Sequence, residues 1–197
     1  MEQGATRSDS SEYVDLIAKL EAARESDVIA RALSAARERL GMDAAYLTTI
    51  DARDQTVRGV VGPSEMTSQY QDSVIPLEQT YCMRMLAGEI PNVVGDTRAD
   101  PVLGGLAASQ HLGAYVGVPV TLSDGSVHGT LCCVSFDPRG DLGEEERRFM
   151  QILAGIVAAR VERARGDVVR LTEGFRQSRR AKREAPVERV ARPRPSG

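Results

Sequence analysis

The sequence has no long apolar run. None of its segments approaches the roughly 18 consecutive apolar residues of a membrane-spanning helix, and residues 1–13 lack the basic-then-apolar order of a secretory signal peptide. Hydrophobic residues make up 42 % of the 197 residues and charged residues 27 %, proportions that are typical of a chain that folds. We therefore expect a cytoplasmic protein with one domain and extensions, and no contact with a membrane.

The sequence is also poor in residues that bind metals or form disulfides, with three cysteines and two histidines. Cys132 and Cys133 are neighbours on a predicted strand and point to opposite faces, which excludes a disulfide framework and a metal ion shared by the two. No C-x-x-C pair, no serine with plausible histidine and aspartate partners, and no Walker or dinucleotide glycine pattern occurs. We therefore expect reduced thiols, no metal site, no catalytic residues and no enzymatic activity.

Hydrophobic spacing and turn residues divide the chain into three parts. Residues 1–11 are predicted to be disordered, residues 12–165 to form a domain with flanking helices, and residues 166–197 to form a basic, mostly disordered tail. Gly166 is predicted to fray or end the last helix, although the spacing of Val168, Val169, Leu171 and Phe175 also allows the helix to resume before the disordered residues that start at Arg176. This order of elements favours an α+β fold, with a mostly antiparallel sheet, the terminal helices on one face and loops across the other. The predicted helices are 13–20, 26–41, 79–88 and 143–165, and the predicted strands are 44–51, 56–61, 73–77, 91–96 and the two halves of 115–136.

Residues 115–136, YVGVPVTLSDGSVHGTLCCVSF, consist of two apolar runs around Asp124-Gly125, which predicts a hairpin with a type I′ turn. Pairing Ser123 with Ser126 fixes the register and separates two unlike faces. One face should be aliphatic and pack under helices, whereas the other should be smaller, more polar and leave a hollow for a ligand. The predicted aliphatic face consists of the pairs Leu122–Val127, Val120–Gly129, Val118–Leu131 and Val116–Cys133. The predicted polar face consists of the pairs Thr121–His128, Pro119–Thr130, Gly117–Cys132 and Tyr115–Val134.

Charge is distributed unevenly along the chain. Residues 160–197 contain twelve arginines or lysines and five acidic residues, a net charge of +7, which leaves −10 for residues 1–159. Such a basic tail can contact nucleic acid or an acidic protein, or it can be a solvated linker. Because Phe175 is its single aromatic residue, sequence-specific reading of DNA is not expected.

Two segments resemble a known family. YCMRMLAGEIPNVVGDTRADP and GAYVGVPVTLSDGSVHGTLCCVSFDPRGDLGEEERRFMQILAGIVAARVE are similar to the later two-thirds of a GAF domain, and the resemblance covers roughly residues 26–164. It implies a six-stranded antiparallel sheet, a small-molecule pocket between one sheet face and the crossing loops, and a homodimer formed through the terminal helices. The variant it is most similar to is the sensory GAF domain found ahead of bacterial diguanylate cyclases and kinases, which implies a regulatory role in signal transduction.

The candidate ligand-binding residues are Cys82, Asp96, Arg98, His111, Tyr115, Thr130 and Cys132. Cys82 opens a short helix, where a helix N-terminus lowers the pKa of a thiol, or it is an inert, half-buried cysteine. Asp96 and Arg98 precede a glycine-rich loop and suit either a polar ligand or turn formation. Cys132 is either core or pocket wall.

The resemblance also bears on cofactors. The histidine expected beside the cysteine of bilin-binding GAF domains is replaced by Met83, and His111 lies at the wrong spacing for an axial haem ligand, so both cofactors are disfavoured. The signature of cyclic-nucleotide-binding GAF domains is missing as well. We therefore expect a sensory protein that binds a small molecule, and the sequence does not identify that molecule. The alternatives are a GAF-type thiol enzyme that reduces a sulfoxide or peroxide through Cys82, and a ligand-blind scaffold that uses the basic tail.

Overall fold

The computed structural model describes residues 27–184, with side chains described through Arg170 and at Glu173. Within this range the elements follow the predicted order, with one additional helix between the second and third strands. No helix in residues 27–184 is long and apolar enough to cross a membrane. The elements are α1 (27–40), β1 (Ala44–Ile50), β2 (Asp54–Val61), α2 (Ser64–Tyr70), β3 (Val74–Pro76), α3 (Tyr81–Leu86), β4 (Val93–Val94), β5 (Ala114–Thr121), β6 (Val127–Ser135) and α4 (Glu144–Glu184), with 3₁₀ turns at Leu77–Gln79 and Ala107–Gln110.

The six strands form one antiparallel sheet in the order β3-β2-β1-β6-β5-β4. The predicted α+β fold with a six-stranded antiparallel sheet is therefore confirmed. β1 and the β5–β6 hairpin form its centre, where strands are covered on both faces. α1 and the first half of α4 cover one face, and α3 with the loop 95–113 covers the other.

The β5–β6 hairpin keeps the predicted register over most of its length, from Tyr115 opposite Val134 to Val120 opposite Gly129. The predicted type I′ turn is wrong. Leu122 C=O accepts a hydrogen bond from Gly125 N–H at 2.9 Å, and Gly125 adopts a φ of +82°. This is a type I turn followed by a left-handed glycine, which adds one residue to the loop and shifts the pairing after Val120. Val127 therefore lies opposite Thr121 and is exposed, so the predicted pairs Leu122–Val127 and Thr121–His128 are wrong.

The end of α4 differs from the prediction. Gly166 does not end the helix, which continues to Glu184, so the helix end predicted at Gly166 is wrong. The division of the chain into a domain and a basic tail stays a prediction. A glycine inside a helix costs only about 1 kcal/mol relative to alanine, and residues 167–184 contain five arginines and one lysine, which are good helix formers. A segment with few apolar residues can therefore still be helical. Residues 1–26 and 185–197, and the predictions made for them, lie outside the described residues.

Two separate cores lie on the two faces of the sheet. The helix face is built from aliphatic residues of α1, α4 and the central strands, and Val116, Val118 and Leu131 are fully buried in it. The opposite face, here called the inner face, contains tyrosines and cysteines beside aliphatic residues. Its buried members are Ala44, Tyr81, Cys82, Met85, Ile90, Val94, Leu103, Tyr115, Cys132 and Val134.

Candidate functional site

Four of the predicted site residues meet in one place on the inner face. Cys82 Sγ lies 3.3 Å from Cys132 Sγ, and Thr130 Oγ1 lies 3.1 Å from Cys82 Sγ and 3.4 Å from Cys132 Sγ. The Tyr115 hydroxyl lies 3.7 Å from Cys82 Sγ and 3.5 Å from Cys132 Sγ. We call these four residues the thiol cluster. It brings together residues that are up to 50 positions apart in the chain.

Local structure fixes each member of the thiol cluster. Thr80 caps α3 by accepting the Met83 N–H at 3.2 Å, which sets the first turn of the helix and directs Cys82 at the sheet. On β5, the Tyr115 side chain lies back over Gly117, where an added Cβ would stand 2.0 Å from the tyrosine hydroxyl oxygen. Gly117 is therefore required for Tyr115 to reach the two sulfurs.

Hydroxyl groups extend the thiol cluster in two directions. Towards β1, the Thr130 hydroxyl pairs with Thr48 Oγ1 at 2.8 Å. Towards the loop 95–113, the ring of Tyr115 packs edge-on against Tyr81, with centroids 5.5 Å apart, and the Tyr81 hydroxyl pairs with Ser109 Oγ at 2.5 Å. The cluster is thus connected to the central sheet and to the loop that covers it.

The pKa values of Cys82 and Cys132 are shifted in opposite directions. The Cys132 hydrogen bond, with further ones from Thr130 and Tyr115, lowers the pKa of Cys82, although burial opposes this. Burial raises the pKa of Cys132 well above its ordinary value, and the hydrogen bond to Cys82 adds to the rise. Burial also raises the pKa of Tyr115. Within the pair, Cys82 is therefore the sulfur that carries negative charge more easily.

The hollow expected on the inner face is filled. Cys82 is 1 % exposed, and Tyr115, Thr130 and Cys132 are 0 % exposed, because α3 and the loop 95–113 pack directly onto them. An open groove of about 520 Å³ lies on the helix side of the sheet, between α1 and the β1–β2 edge, with Leu33, Thr49 and Arg58 among its lining. Ligand contact by the thiol cluster stays a prediction, and it would require α3 or the loop to move.

The other three predicted site residues lie at the surface, away from the sulfurs. Asp96 Oδ1 accepts the N–H groups of Arg98 and Ala99, at 3.0 and 3.2 Å. The guanidinium of Arg98 donates to the carbonyls of Ser109 and Phe136, at 3.3 and 3.0 Å. Asp96 and Arg98 therefore shape and fasten the loop, as the turn interpretation of the sequence predicts.

His111 is exposed, and its backbone N–H donates to Ala108 C=O at 3.0 Å. Cys133 lies on the helix face as predicted, where its Sγ is 3.8 Å from Met150 Sδ. Burial raises its pKa to about 12. Sequence reasoning missed the approach of Cys82 to Cys132, because α3 and β6 come together only through the tertiary fold.

The structure is an α+β domain in which helices cover one face of an antiparallel sheet, and α3 with the loop 95–113 covers the other. The GAF-domain family profile matches residues 22–162, and the chain belongs to the GAF family. A cyclic di-GMP phosphodiesterase of Pseudomonas aeruginosa is 25 % identical over 156 residues, which are 78 % of this chain and 25 % of that enzyme. The chain therefore spans about a quarter of the length of this curated relative.

Solved structures give the same fold. The GAF-B domain of DevS from Mycobacterium smegmatis superimposes with a TM-score of 0.56 at 18 % identity, covering 73 % of this chain and 96 % of that domain. The free methionine-R-sulfoxide reductase of Neisseria meningitidis, solved in complex with its substrate, gives a TM-score of 0.58 at 22 % identity, covering 85 % of this chain and 98 % of that enzyme. At these identities the likeness concerns the fold alone.

Proposed function

We propose that this protein is a regulatory GAF module of signal transduction, in which a small molecule acts on the inner face and the response leaves through α4. The observation that carries the proposal is the position of the β5–β6 hairpin between the thiol cluster and α4. Consecutive residues of β6 contact the two sides, since Cys132 belongs to the thiol cluster and Cys133 touches Met150 of α4. A displacement of β6 on one side therefore changes packing on the other.

A second contact connects α4 to the same hairpin. Glu162 of α4 accepts the Ser123 N–H in the β5–β6 turn at 2.6 Å. α4 is 41 residues long and continues past the sheet to Glu184, so a small tilt at the sheet becomes a larger displacement at its far end. The signalling relative in Pseudomonas aeruginosa supports a role of this kind.

The output side of the proposal is a homodimer formed by the terminal helices. Ile152 is 64 % exposed and Ile156 is 50 % exposed on the side of α4 that faces away from the sheet. They are one turn apart, with Gly155 between them, so they form an apolar patch flat enough for a second helix. A second copy of the chain is the occupant that places equivalent helices side by side.

Sedimentation analysis at micromolar concentration tests the dimer. The wild-type chain should sediment as a dimer, and Ile152→Asp with Ile156→Asp should sediment as a monomer, since two carboxylates would be buried without partners. Val127→Asp is the matched control, because Val127 is also exposed, at 42 %, but lies on the hairpin. If the wild-type chain is a monomer, the proposed response through a dimer of α4 helices is wrong.

The input side of the proposal is a small organic molecule that enters where α3 and the loop 95–113 cover the sheet. The Neisseria reductase, whose structure holds its substrate, supports a small-molecule site in this fold. Tyrosine rings, thiols and hydroxyls would give such a site an aromatic wall with a few hydrogen-bonding groups. Cytoplasmic location belongs to the same proposal.

Native mass spectrometry and an absorption spectrum of freshly purified protein test for a bound molecule. A mass above that of the chain, lost on denaturation, or an absorption band beyond that of tyrosine would support the input site. Gly117→Ala should weaken retention of that molecule, because the added Cβ pushes Tyr115 away from the sulfurs. Retention unchanged by Gly117→Ala would place the molecule elsewhere, such as the open groove.

The thiol cluster favours a second candidate, a thiol-dependent reductase that acts through Cys82. We rank it lower because neither sulfur is open to a substrate. Cys82→Ala should abolish reduction of a sulfoxide if this candidate holds, and no turnover by the wild-type chain would dismiss it.

The remaining alternative is a scaffold that acts through its basic C-terminal residues. It predicts salt-dependent binding to polyanions that is lost on deleting residues 176–197.

A further inference from the structure

The pairing of Cys82 with Cys132 has a chemical consequence that is independent of ligand binding. The two sulfurs lie 3.3 Å apart, in elements that are otherwise remote in sequence, and both thiols are free. One sits in the first turn of α3 and the other in the middle of β6. Side chains alone, rather than strand pairing, bring them together.

We propose that Cys82 and Cys132 form a site of reversible oxidation, at which a hydroperoxide converts the two thiols into an intramolecular disulfide. The disulfide would join α3 covalently to β6 and hold the inner face closed. This inference does not rest on the proposed sensory function. If that function is correct, the oxidation state of the pair becomes a second input at the same face.

Geometry favours the bond. A disulfide requires two sulfurs to approach to about 2.05 Å, and Cys82 Sγ and Cys132 Sγ are already within 3.3 Å of each other. α3 is a helix of six residues that packs on the inner face, and so short an element has few helical hydrogen bonds to break in a local opening. The same local opening gives a molecule as small as hydrogen peroxide access to the sulfurs.

The reaction proceeds in two balanced steps. The Cys82 sulfur attacks one peroxide oxygen, the O–O bond breaks, and the departing hydroxide takes the Cys82 proton, which gives a sulfenic acid and water. The Cys132 sulfur then attacks the sulfenic sulfur, the S–O bond breaks, and the departing hydroxide takes the Cys132 proton, which gives the disulfide and a second water. Two thiols lose two electrons in total, and the peroxide gains them.

The neighbours of the pair assign the attacking sulfur. Thr130 Oγ1 donates to Cys82 Sγ at 3.1 Å and the Tyr115 hydroxyl donates at 3.7 Å, and both hydrogen bonds favour the thiolate. The lowered pKa of Cys82 agrees with this arrangement. The thiolate is the nucleophilic form of cysteine, so Cys82 attacks and Cys132 resolves.

Cys133 provides an internal control. It is next to Cys132 in sequence and equally buried, but its side chain lies on the helix face beside Met150. Burial raises its pKa to about 12 and also raises the pKa of Cys132, so the two cysteines differ in position rather than in the direction of this shift. A reaction that depends on geometry will distinguish Cys132 from Cys133, whereas one that depends only on exposure will not.

The test is thiol mapping of the full chain after oxidation. The reduced, desalted protein is treated with hydrogen peroxide, quenched with catalase, unfolded, alkylated and digested with trypsin, and the peptides are sequenced by mass spectrometry. We expect loss of two hydrogens, a link between Cys82 and Cys132, and alkylation at Cys133 alone. Dithiothreitol should restore alkylation at all three cysteines.

Variants separate the roles of the three cysteines. Cys133→Ser should keep the link, whereas Cys82→Ser and Cys132→Ser should abolish it, and circular dichroism should show that each variant is folded. Because fragmentation distinguishes Cys132 from Cys133 in the wild-type chain, the mapping holds even if a variant fails to fold. A link through Cys133, links only between chains, irreversible acids at Cys82 without a link, or three free thiols after excess peroxide would each overturn the proposal.

Discussion

The helix face and the inner face of the same sheet are built by different means. The helix face is an aliphatic core, where α1 and α4 bury valines and leucines that make no side-chain hydrogen bonds. The inner face sets hydroxyls and thiols among its apolar side chains and closes them under a short helix and a loop. Because strand residues alternate between the faces, the β5–β6 hairpin contributes valines to the helix face and Tyr115, Thr130 and Cys132 to the inner face.

The largest expected effect comes from filling the space at one glycine of β6. A Cβ at Gly129 would stand 1.7 Å from the backbone oxygen of Thr48, so Gly129→Ala must push β1 and β6 apart. We expect a loss of about 3 kcal/mol or more of unfolding free energy, measured by urea denaturation. Gly117→Ala is the matched comparison, because its obstacle is the movable hydroxyl of Tyr115, and it should cost less. Equal losses would contradict this difference.

Reciprocal isosteric substitutions address the two faces separately. Thr48→Val on the inner face removes the partner of the Thr130 hydroxyl and N–H, at 2.8 and 3.2 Å. Val118→Thr places a hydroxyl in the aliphatic core. Each should cost about 1–3 kcal/mol, since Thr48→Val takes a hydrogen-bond partner from both Thr130 groups and Val118→Thr buries a hydroxyl in an aliphatic core. A neutral Thr48→Val would show that the inner face tolerates an apolar lining.

A smaller effect of opposite sign is expected in α4. Gly166 is helical, so Gly166→Ala should raise the unfolding free energy by about 0.5–1 kcal/mol. If Gly166 instead ended the helix in a left-handed conformation, alanine would destabilise the chain. Thermal denaturation followed by circular dichroism distinguishes the two signs.

The smallest effect concerns the start of α4 at low pH. Hydrogen bonds from Arg147 and Arg148 lower the pKa of Glu144 from its usual 4.5 to about 2. Since the folded-state pKa is the lower one, the stabilisation is present above 4.5 and is lost as the pH falls towards 2. Glu144→Gln should therefore flatten the acid limb of the stability curve slightly, because the side chain is 52 % exposed and well screened. An unchanged acid limb would mean that these ion pairs contribute nothing.

Much of the fold could be predicted because its signals are local. Alternation in residues 115–136 gave the faces and register of the hairpin, and the acidic start with an apolar stripe gave the beginning of α4. α2 was missed, since none of its residues is buried and it therefore has no apolar periodicity. The turn type was missed because Asp-Gly fits both a type I′ turn and a type I turn followed by glycine.

The site was only partly predictable for a different reason. Alternation along β5 and β6 put Tyr115, Thr130 and Cys132 on one face, and the helix start identified Cys82. Neither signal measures how closely α3 approaches the sheet, so the sequence predicted a hollow where the structure has packed side chains. Asp96 and Arg98 are polar residues before a loop, a pattern that looks the same whether they hold a ligand or the loop itself.

The central claim is that β6 couples the inner face to α4, and the methyl resonance of Met150 tests it most directly. Met150 is fully buried on the helix face, next to Cys133. Tyr115→Phe removes a hydroxyl from the inner face alone, and Tyr70→Phe is a control on α2. We predict that the Met150 signal, assigned by Met150→Leu, shifts in Tyr115→Phe and not in Tyr70→Phe. An unchanged signal in Tyr115→Phe would contradict the coupling.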